Sequence, residues 1–353
     1  MDIYDVFHLL GGLALFLFGM SIMGDSLEKR AGRRLKSILE QLTRSPIKAA
    51  LLGMGVTAII QSSSATTVMV VGFVNSGIMQ LKQAIGVVMG ANIGTTVTAW
   101  LLSLTGITSE SFWVTLLKPS TFSPLLAFVG IVMLLFGKRH RDTADILLGF
   151  AVLMYGMETM SDAVHGLAQD PAFINTLLLF SNPLFGVLAG AVVTAIIQSS
   201  SASIGILQAI ANTGSIAFGA AIPIIMGQNI GTCITALLSA IGANRSAKRV
   251  AAVHLMFNLI GTAVLLPLFY GAYALLGLTF IDQPINAFEI AIAHTAFNLL
   301  STALLFPFIN TLEMLAYKVI PEDKKGERPV LLDERLLATP SIAIEQSRRL
   351  TAR

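Results

Sequence analysis

The chain has little that water or redox chemistry would use. Only 12% of its 353 residues are charged, about half the share of an ordinary soluble domain, so most of its surface cannot face water. Cysteine occurs once, as Cys233, which excludes an internal disulfide and leaves a thiolate metal cluster without partners. Met1–Asp5 carries two acids and no Lys or Arg, the reverse of the basic start of a cleavable signal peptide. There is no Gly-x-Ser-x-Gly elbow and no phosphate-cradling P-loop. An enzyme is therefore the least supported class.

What is abundant is apolar: 54% of residues. Stretches at 5–24, 80–104, 120–137, 143–162, 218–242, 247–274 and 286–310 each approach the ~20 residues that span a ~30 Å hydrocarbon core. The composition predicts an all-α membrane protein with seven full spans. The net charge of +3 does not indicate a nucleic-acid partner once the placement of the basic residues is considered. Of the 23 Lys and Arg, 22 fall before Pro46, at Lys48 and Lys82, at 138–141, at 245–249, or after residue 317; only Lys118 lies elsewhere. With the N-terminus outside and the C-terminus cytoplasmic, this pattern satisfies the positive-inside rule at every loop. The expected location is a multi-pass protein of the inner or plasma membrane.

The chain is also duplicated. Thr57–Thr67 reads TAIIQSSSATT and Thr194–Ile204 reads TAIIQSSSASI, matching at nine of eleven positions with an offset of 137. The same offset carries MGANIGTTVTA (Met89–Ala99) onto MGQNIGTCITA (Met226–Ala236), Gly19 onto Gly156, Pro46 onto Pro183 and Asn75 onto Asn212. Three expected spans separate matched residues, so the copies lie in opposite orientation, as in inverted-repeat secondary transporters. Their bounds read as 1–137 and 138–274, followed by a transmembrane helix within 275–320 and a cytoplasmic tail at 321–353. Segments 46–76 and 183–213 begin at a proline, run apolar to Gln-Ser-Ser-Ser, then resume apolar. Each half is too short to cross comfortably, which predicts two re-entrant helical hairpins whose tips face each other across a site. Segments 25–45 and 163–182 read as interfacial helices. A weaker repeat at an offset of 40 pairs His254, Phe257, Asn258 and Pro267 with His294, Phe297, Asn298 and Pro307.

At each tip, consecutive serines combine hydroxyls with the unpaired N–H groups of a helix start, a combination that attracts anions. The candidate phosphate ligands are Ser62, Ser63, Ser64, Ser199, Ser200 and Ser201. The preceding helix end offers carbonyls and the amide oxygens of Gln61 and Gln198, which suit a small hard cation. Asn92, Thr95 and Thr96, with their counterparts Asn229 and Thr232, can complete such a shell beside a helix-weakening glycine, and Asn258 can share in it. The plainer reading of these polar residues is helix packing; two identical four-residue polar clusters at matched positions argue against packing alone. His254 with Asn258, and His294 with Asn298, sit on one helical face each. No acid or base stands at an expected midplane. An anion entering there meets a large desolvation cost, which dipoles and accompanying cations must offset.

Two QSSS tips, each followed by NIGT, resemble the sodium-phosphate cotransporter family, whose animal members are the type II cotransporters. The resemblance covers residues from about 10 to 310. It implies an inverted-repeat carrier in which Gln61–Ser64 and Gln198–Ser201 line phosphate and sodium sites, and the NIGT elements help hold sodium. Animal members carry an H-x-x-F-N element after the first QSSS half, whereas here both such elements follow the second. Electrogenic animal members have an acid beside that His, where this chain has Leu255 and Thr295. Bacterial relatives continue into a soluble helical domain resembling phosphate-uptake regulators, and Leu331–Arg353 looks like the truncated start of one. The partners expected are inorganic phosphate, sodium as cotransported ligand and the lipid bilayer, with no other cofactor; a homodimer is compatible with this reading. Another tetrahedral oxyanion, or a membrane phosphate sensor, remains open at this point.

Overall fold

The computed structural model describes residues 3–42, 45–106, 118–137, 140–167, 182–277 and 279–322, with a few isolated positions besides. Among them the chain is helical, with one isolated β-bridge between Ala217 and Pro284. The helices are α1 (Ile3–Leu42), α2 (Pro46–Ile60), α3 (Ser63–Asn75), α4 (Leu81–Ser103), α5 (Pro119–Phe136), α6 (Arg141–Leu167), α7 (Pro183–Ile197), α8 (Ser200–Ala211), α9 (Phe218–Ser239), α10 (Arg245–Leu276), α11 (Ala287–Leu305) and α12 (Ile309–Val319).

Six helices are long and apolar enough to cross a membrane: Tyr4–Ala31, Leu81–Gly106, Arg141–His165, Phe218–Ser239, Arg245–Leu276 and Ala287–Val319. The seventh expected span, 120–137, is α5, which is apolar but shorter at 18 residues, or about 27 Å of rise. A second difference concerns 25–45. Instead of a separate interfacial helix, α1 runs on unbroken for 40 residues through Leu42. Its 25–42 portion is rich in Leu, Glu, Lys and Arg and holds no proline, so nothing stops the helix. Likewise α6 continues to Leu167, and 168–176 lies outside the described residues, as does nearly all of the tail after Glu322.

The sequence duplication reappears in the packing. A Cβ on Gly53 would collide with the Val87 carbonyl, and one on the matched Gly190 with the Ile224 carbonyl; Gly90 lies against the Ala50 carbonyl and Gly227 against the Val187 carbonyl. Each first half-helix is thus pressed backbone to backbone on the long helix that follows its hairpin, α2 on α4 and α7 on α9. Helices α1 and α6 cross through Gly12 against Gly156 and Gly19 against Gly149, residues also related by the offset of 137. Small residues at such crossings let backbones approach where no hydrophobic drive acts between helices in lipid. Buried clusters join α2, α3 and α4 to α10 around Ile60, Phe73, Val88 and Phe257 and α8 and α9 to α11 around Ile204, Ile225 and Ile290. Large apolar side chains on the outer faces, Phe7, Phe128, Leu188 and Leu268 among them, are exposed, as a lipid-facing surface requires.

The close approaches set a prediction. Gly90→Ala and Gly227→Ala should each lower stability by about 1–3 kcal/mol through overpacking, read as a fall in melting temperature in detergent. Gly55→Ala, with nothing within 4 Å of the new methyl, should leave the melting temperature level or raise it through helix propensity. Equal behaviour of all three would contradict the packing account.

Candidate functional site: two serine-capped tips

Both tips are built the same way. Helix α2 ends when Gln61 adopts the left-handed conformation, φ 60° and ψ 22°, its N–H closing on the Thr57 carbonyl. Ser62 is extended, and its Oγ accepts from Ala65 N at 3.1 Å, capping α3. In the second copy Gln198 has φ 57° and ψ 22°, and Ser199 Oγ accepts from Ala202 N at 3.2 Å, capping α8. Gln61 and Gln198 are the only non-glycine residues with positive φ among the described residues. Such a conformation costs free energy in a side chain that is not glycine, and it persists only where the surroundings hold it.

At each tip two helix ends therefore meet. The start of α3 or α8 has N–H groups with no intrahelical acceptor, at Ser63 and Ser64 or Ser200 and Ser201, and carries the positive end of a helix dipole. The end of α2 or α7 leaves carbonyls, the negative counterpart. Ser63, Ser200 and Ser201 are buried, while Ser62, Ser64 and Ser199 are half-buried. Behind the tips, matched hydroxyls staple the two halves of each hairpin: Thr57 Oγ1 donates to Thr66 Oγ1 at 3.0 Å and Thr194 Oγ1 to Ser203 Oγ at 2.8 Å.

The two copies interlock at the first tip. Thr98 of α4 donates to Gln61 Oε1 at 2.9 Å, and its counterpart Thr235 of α9, whose hydroxyl also reaches Thr232 O at 3.0 Å, lies 3.3 Å from Ser64 Oγ, across 171 residues of sequence. Gln61 is accordingly buried, whereas Gln198 is exposed. Thr98 and Thr235 were not among the residues expected from sequence. Their signal was available, since each stands six residues after the asparagine of its NIGT element.

Around the NIGT elements one expectation changes. Helices α4 and α9 run unbroken through Gly94 and Gly231. These glycines do not weaken the helix; they admit the hairpins, because a Cβ on Gly94 would strike Met54 O and one on Gly231 Ala191 O. The adjacent polar groups remain oriented by their own helices. Asn92 and Asn229 donate to Val88 O and Ile225 O, both at 2.9 Å, which leaves their Oδ1 atoms as acceptors. Thr95, Thr96 and Thr232 donate to carbonyls one turn back. Such hydroxyls still offer lone pairs to a cation.

Asn258 lies fully buried against the second NIGT element, donating through Nδ2 to Cys233 Sγ at 3.3 Å and to His254 O at 3.1 Å. Asn298 on α11 is equally buried and donates to His294 O at 2.8 Å, while α11 is joined to α4 by Trp100 Nε1 donating to Thr295 at 2.9 Å. The α10 element thus meets the second NIGT element through Asn258 while its Phe257 packs in the core of the first copy, and α11 is bonded to α4 at Thr295 while its start packs against α8. The Oδ1 atoms of Asn258 and Asn298 have no partner, nor do His254 Nδ1 and His294 Nδ1. Buried acceptors without donors are rare enough to call for a ligand or water. No three His, Cys, Asp or Glu converge among the described residues; the orphaned acceptors are two amide oxygens and two imidazole nitrogens, of which the amide oxygens suit a hard cation. An open cavity of about 250 Å³ lies elsewhere, lined by Glu158, Asp162 and His165 near Asn212. Its carboxylates disfavour an anion, so the tips remain the candidate anion site.

A family described as Na+/Pi-cotransporter matches residues 15–162 and, a second time, 153–289. The chain belongs to the Na+/Pi-cotransporter family. That family consists of transporters rather than enzymes, and with six apolar helices the chain is a multi-pass membrane protein. It is 31% identical to the uncharacterized protein YqeW of Bacillus subtilis over 257 residues, 72% of this chain and 80% of that one. It is 30% identical to the putative inorganic phosphate export protein YjbB of Escherichia coli over 352 residues, 98% of this chain but 62% of the relative's length. Human sodium-dependent phosphate transport protein 2B is 38% identical over 132 residues, 35% of this chain and 19% of that one. No solved structure matches.

If the unpartnered Asn258 oxygen receives sodium, sodium chloride should raise the melting temperature of the purified protein above its value in potassium chloride, by mass action on the folded state. Asn258→Leu should abolish most of that increment while leaving the potassium value within a few degrees, since a shape-matched apolar replacement removes an unsatisfied group. An undiminished sodium increment in the variant would remove Asn258 from the cation site.

Proposed function

We propose that the protein carries inorganic phosphate across the membrane coupled to sodium, by alternating access between two inverted halves. The observation that carries this reading is the doubled tip: a left-handed glutamine followed by a serine-capped helix start, twice, at an offset of 137. In this reading α2–α3 and α7–α8 are re-entrant hairpins whose tips meet near the midplane. Ser62–Ser64 and Ser199–Ser201 hold phosphate through hydroxyls and helix-start N–H groups. Gln61 and Gln198, with Asn92, Thr95, Thr96, Asn229, Thr232 and Asn258, supply oxygen to sodium.

Electrostatics supports the coupling. Phosphate enters as one or two negative charges, and none of these ligands carries a fixed positive charge, so neutral dipoles alone would leave much of the desolvation cost standing. Sodium bound at the carbonyl ends of α2 and α7 offsets it. The membrane potential then acts on whatever net charge remains, at roughly 2.3 kcal/mol per charge per 100 mV. Direction follows from the gradients rather than from the site. The E. coli relative is named for export and the human one for sodium-dependent transport, and one alternating-access machine serves either. The basic loops support an outside N-terminus and a cytoplasmic C-terminus.

In proteoliposomes, labelled phosphate should accumulate under an inward sodium gradient and not under an equal potassium gradient. Potential clamped with valinomycin then reports the net charge moved. Equal entry under both gradients would remove sodium from the mechanism. No entry under either, with binding intact, would favour a sensor, and competition by sulfate or arsenate at equal affinity would broaden the substrate.

A further inference from the structure

The duplication makes each copy a control for the other. At two walls of the site the copies differ in kind. Gln208 of α8 is fully buried, and its Nε2 donates to Ala99 O of α4 at 2.9 Å and to Ala287 O at the start of α11 at 2.8 Å. Gln228 of α9 is 3% exposed, and its Nε2 donates to Ser203 O of α8 at 2.9 Å. The matched residues of the first copy are Val71 and Ala91, buried side chains that make no hydrogen bond. Both glutamine Oε1 atoms are buried without a partner. Valine and alanine would carry no such penalty, so the amides are retained for what their N–H groups hold.

What they hold is one helix. The three bonds tie α8 to α4, α11 and α9. Ser203, the acceptor for Gln228, lies two residues beyond the Ser199–Ser201 tip and is also bonded by Thr194 of α7. The second tip therefore stands on a shaft fastened from every side, with its own Gln198 exposed. The first tip is fastened at its end instead, by Thr98 to Gln61 and Thr235 to Ser64.

We propose that Gln208 and Gln228 are positioning residues for the second tip: they fix α8 so that its serine-capped start keeps one orientation toward the anion, without themselves touching it. A preformed anion cradle binds more tightly than one ordered on binding, because the ordering entropy has been lost in advance. The proposal rests on the carrier reading above.

Gln208→Met and Gln228→Met keep side-chain volume and remove the donors. In the double variant of the full chain, reconstituted in proteoliposomes, the KM for phosphate should rise about tenfold, a loss of about 1.4 kcal/mol of binding. Turnover at saturating phosphate should change less than about twofold, and the melting temperature by no more than a few degrees. Val71→Ala, at the matched place where no bond is lost and nothing is overpacked, should leave KM unchanged. Independently of transport, amide exchange of 199–211 should accelerate in the double variant while 62–75 is unaffected. An unchanged KM and unchanged exchange in a folded double variant would overturn the proposal. So would KM and turnover worsening together with a large fall in melting temperature, which marks structural support only. Should the parent protein transport nothing, the carrier reading fails, and the exchange experiment alone decides whether these amides position the tip.

Discussion

Hydrocarbon offers no hydrogen bonds, so every backbone N–H and C=O at membrane depth must find its partner within the protein. This constraint forces the chain into helices and makes each helix end inside the bundle exceptional. The protein has two such ends in each copy, back to back at Gln61–Ser62 and Gln198–Ser199. There the backbone groups that helices normally satisfy are released on purpose: N–H groups on one side, carbonyls on the other. A left-handed glutamine and a serine cap hold that arrangement in both copies within a few degrees. The rest of the structure packs around it, burying Gln61 and leaving Gln198 exposed.

Burial is achieved by removing side chains. Gly53, Gly90 and Gly94 press α2 onto α4, and Gly190, Gly227 and Gly231 press α7 onto α9. The same stripe that keeps lipid out also aligns the NIGT polar groups beside the hairpins. Packing and chemistry are thus not rival accounts of these residues. A glycine that allows backbone contact is what permits Asn92 and Thr95 to approach the first half-helix of the tip at all. The offset of 137 makes this visible, because the two copies solve one steric problem with the same residues and differ only where they are held.

Much of this was legible in the sequence. Composition alone gave a membrane protein, Pro46 and Pro183 marked the starts of the short helices, and the QSSS run marked their tips. Three things were not legible. Residues 25–45 read as a separate interfacial helix because their basic charge suggested an interface, yet helix propensity without a breaker simply extends α1 to Leu42. Gly94 and Gly231 read as helix weakeners, because a glycine's effect depends on whether another backbone lies against it, which only tertiary structure shows. Gln208 and Gln228 escaped notice since an amide in an apolar run is silent until its acceptors, here carbonyls of α4, α8 and α11, are known. The packing of both His-Asn elements against both copies was hidden as well, because neither element lies in the first copy in sequence.

The central claim is that anion and cation share one site, each offsetting the desolvation of the other. Linkage gives this a quantitative form: the factor by which sodium tightens phosphate binding must equal the factor by which phosphate tightens sodium binding. Equilibrium binding of labelled phosphate to the purified protein across a sodium series, and of sodium across a phosphate series, measures both. The account predicts equal factors well above unity. Phosphate affinity indifferent to sodium would contradict it.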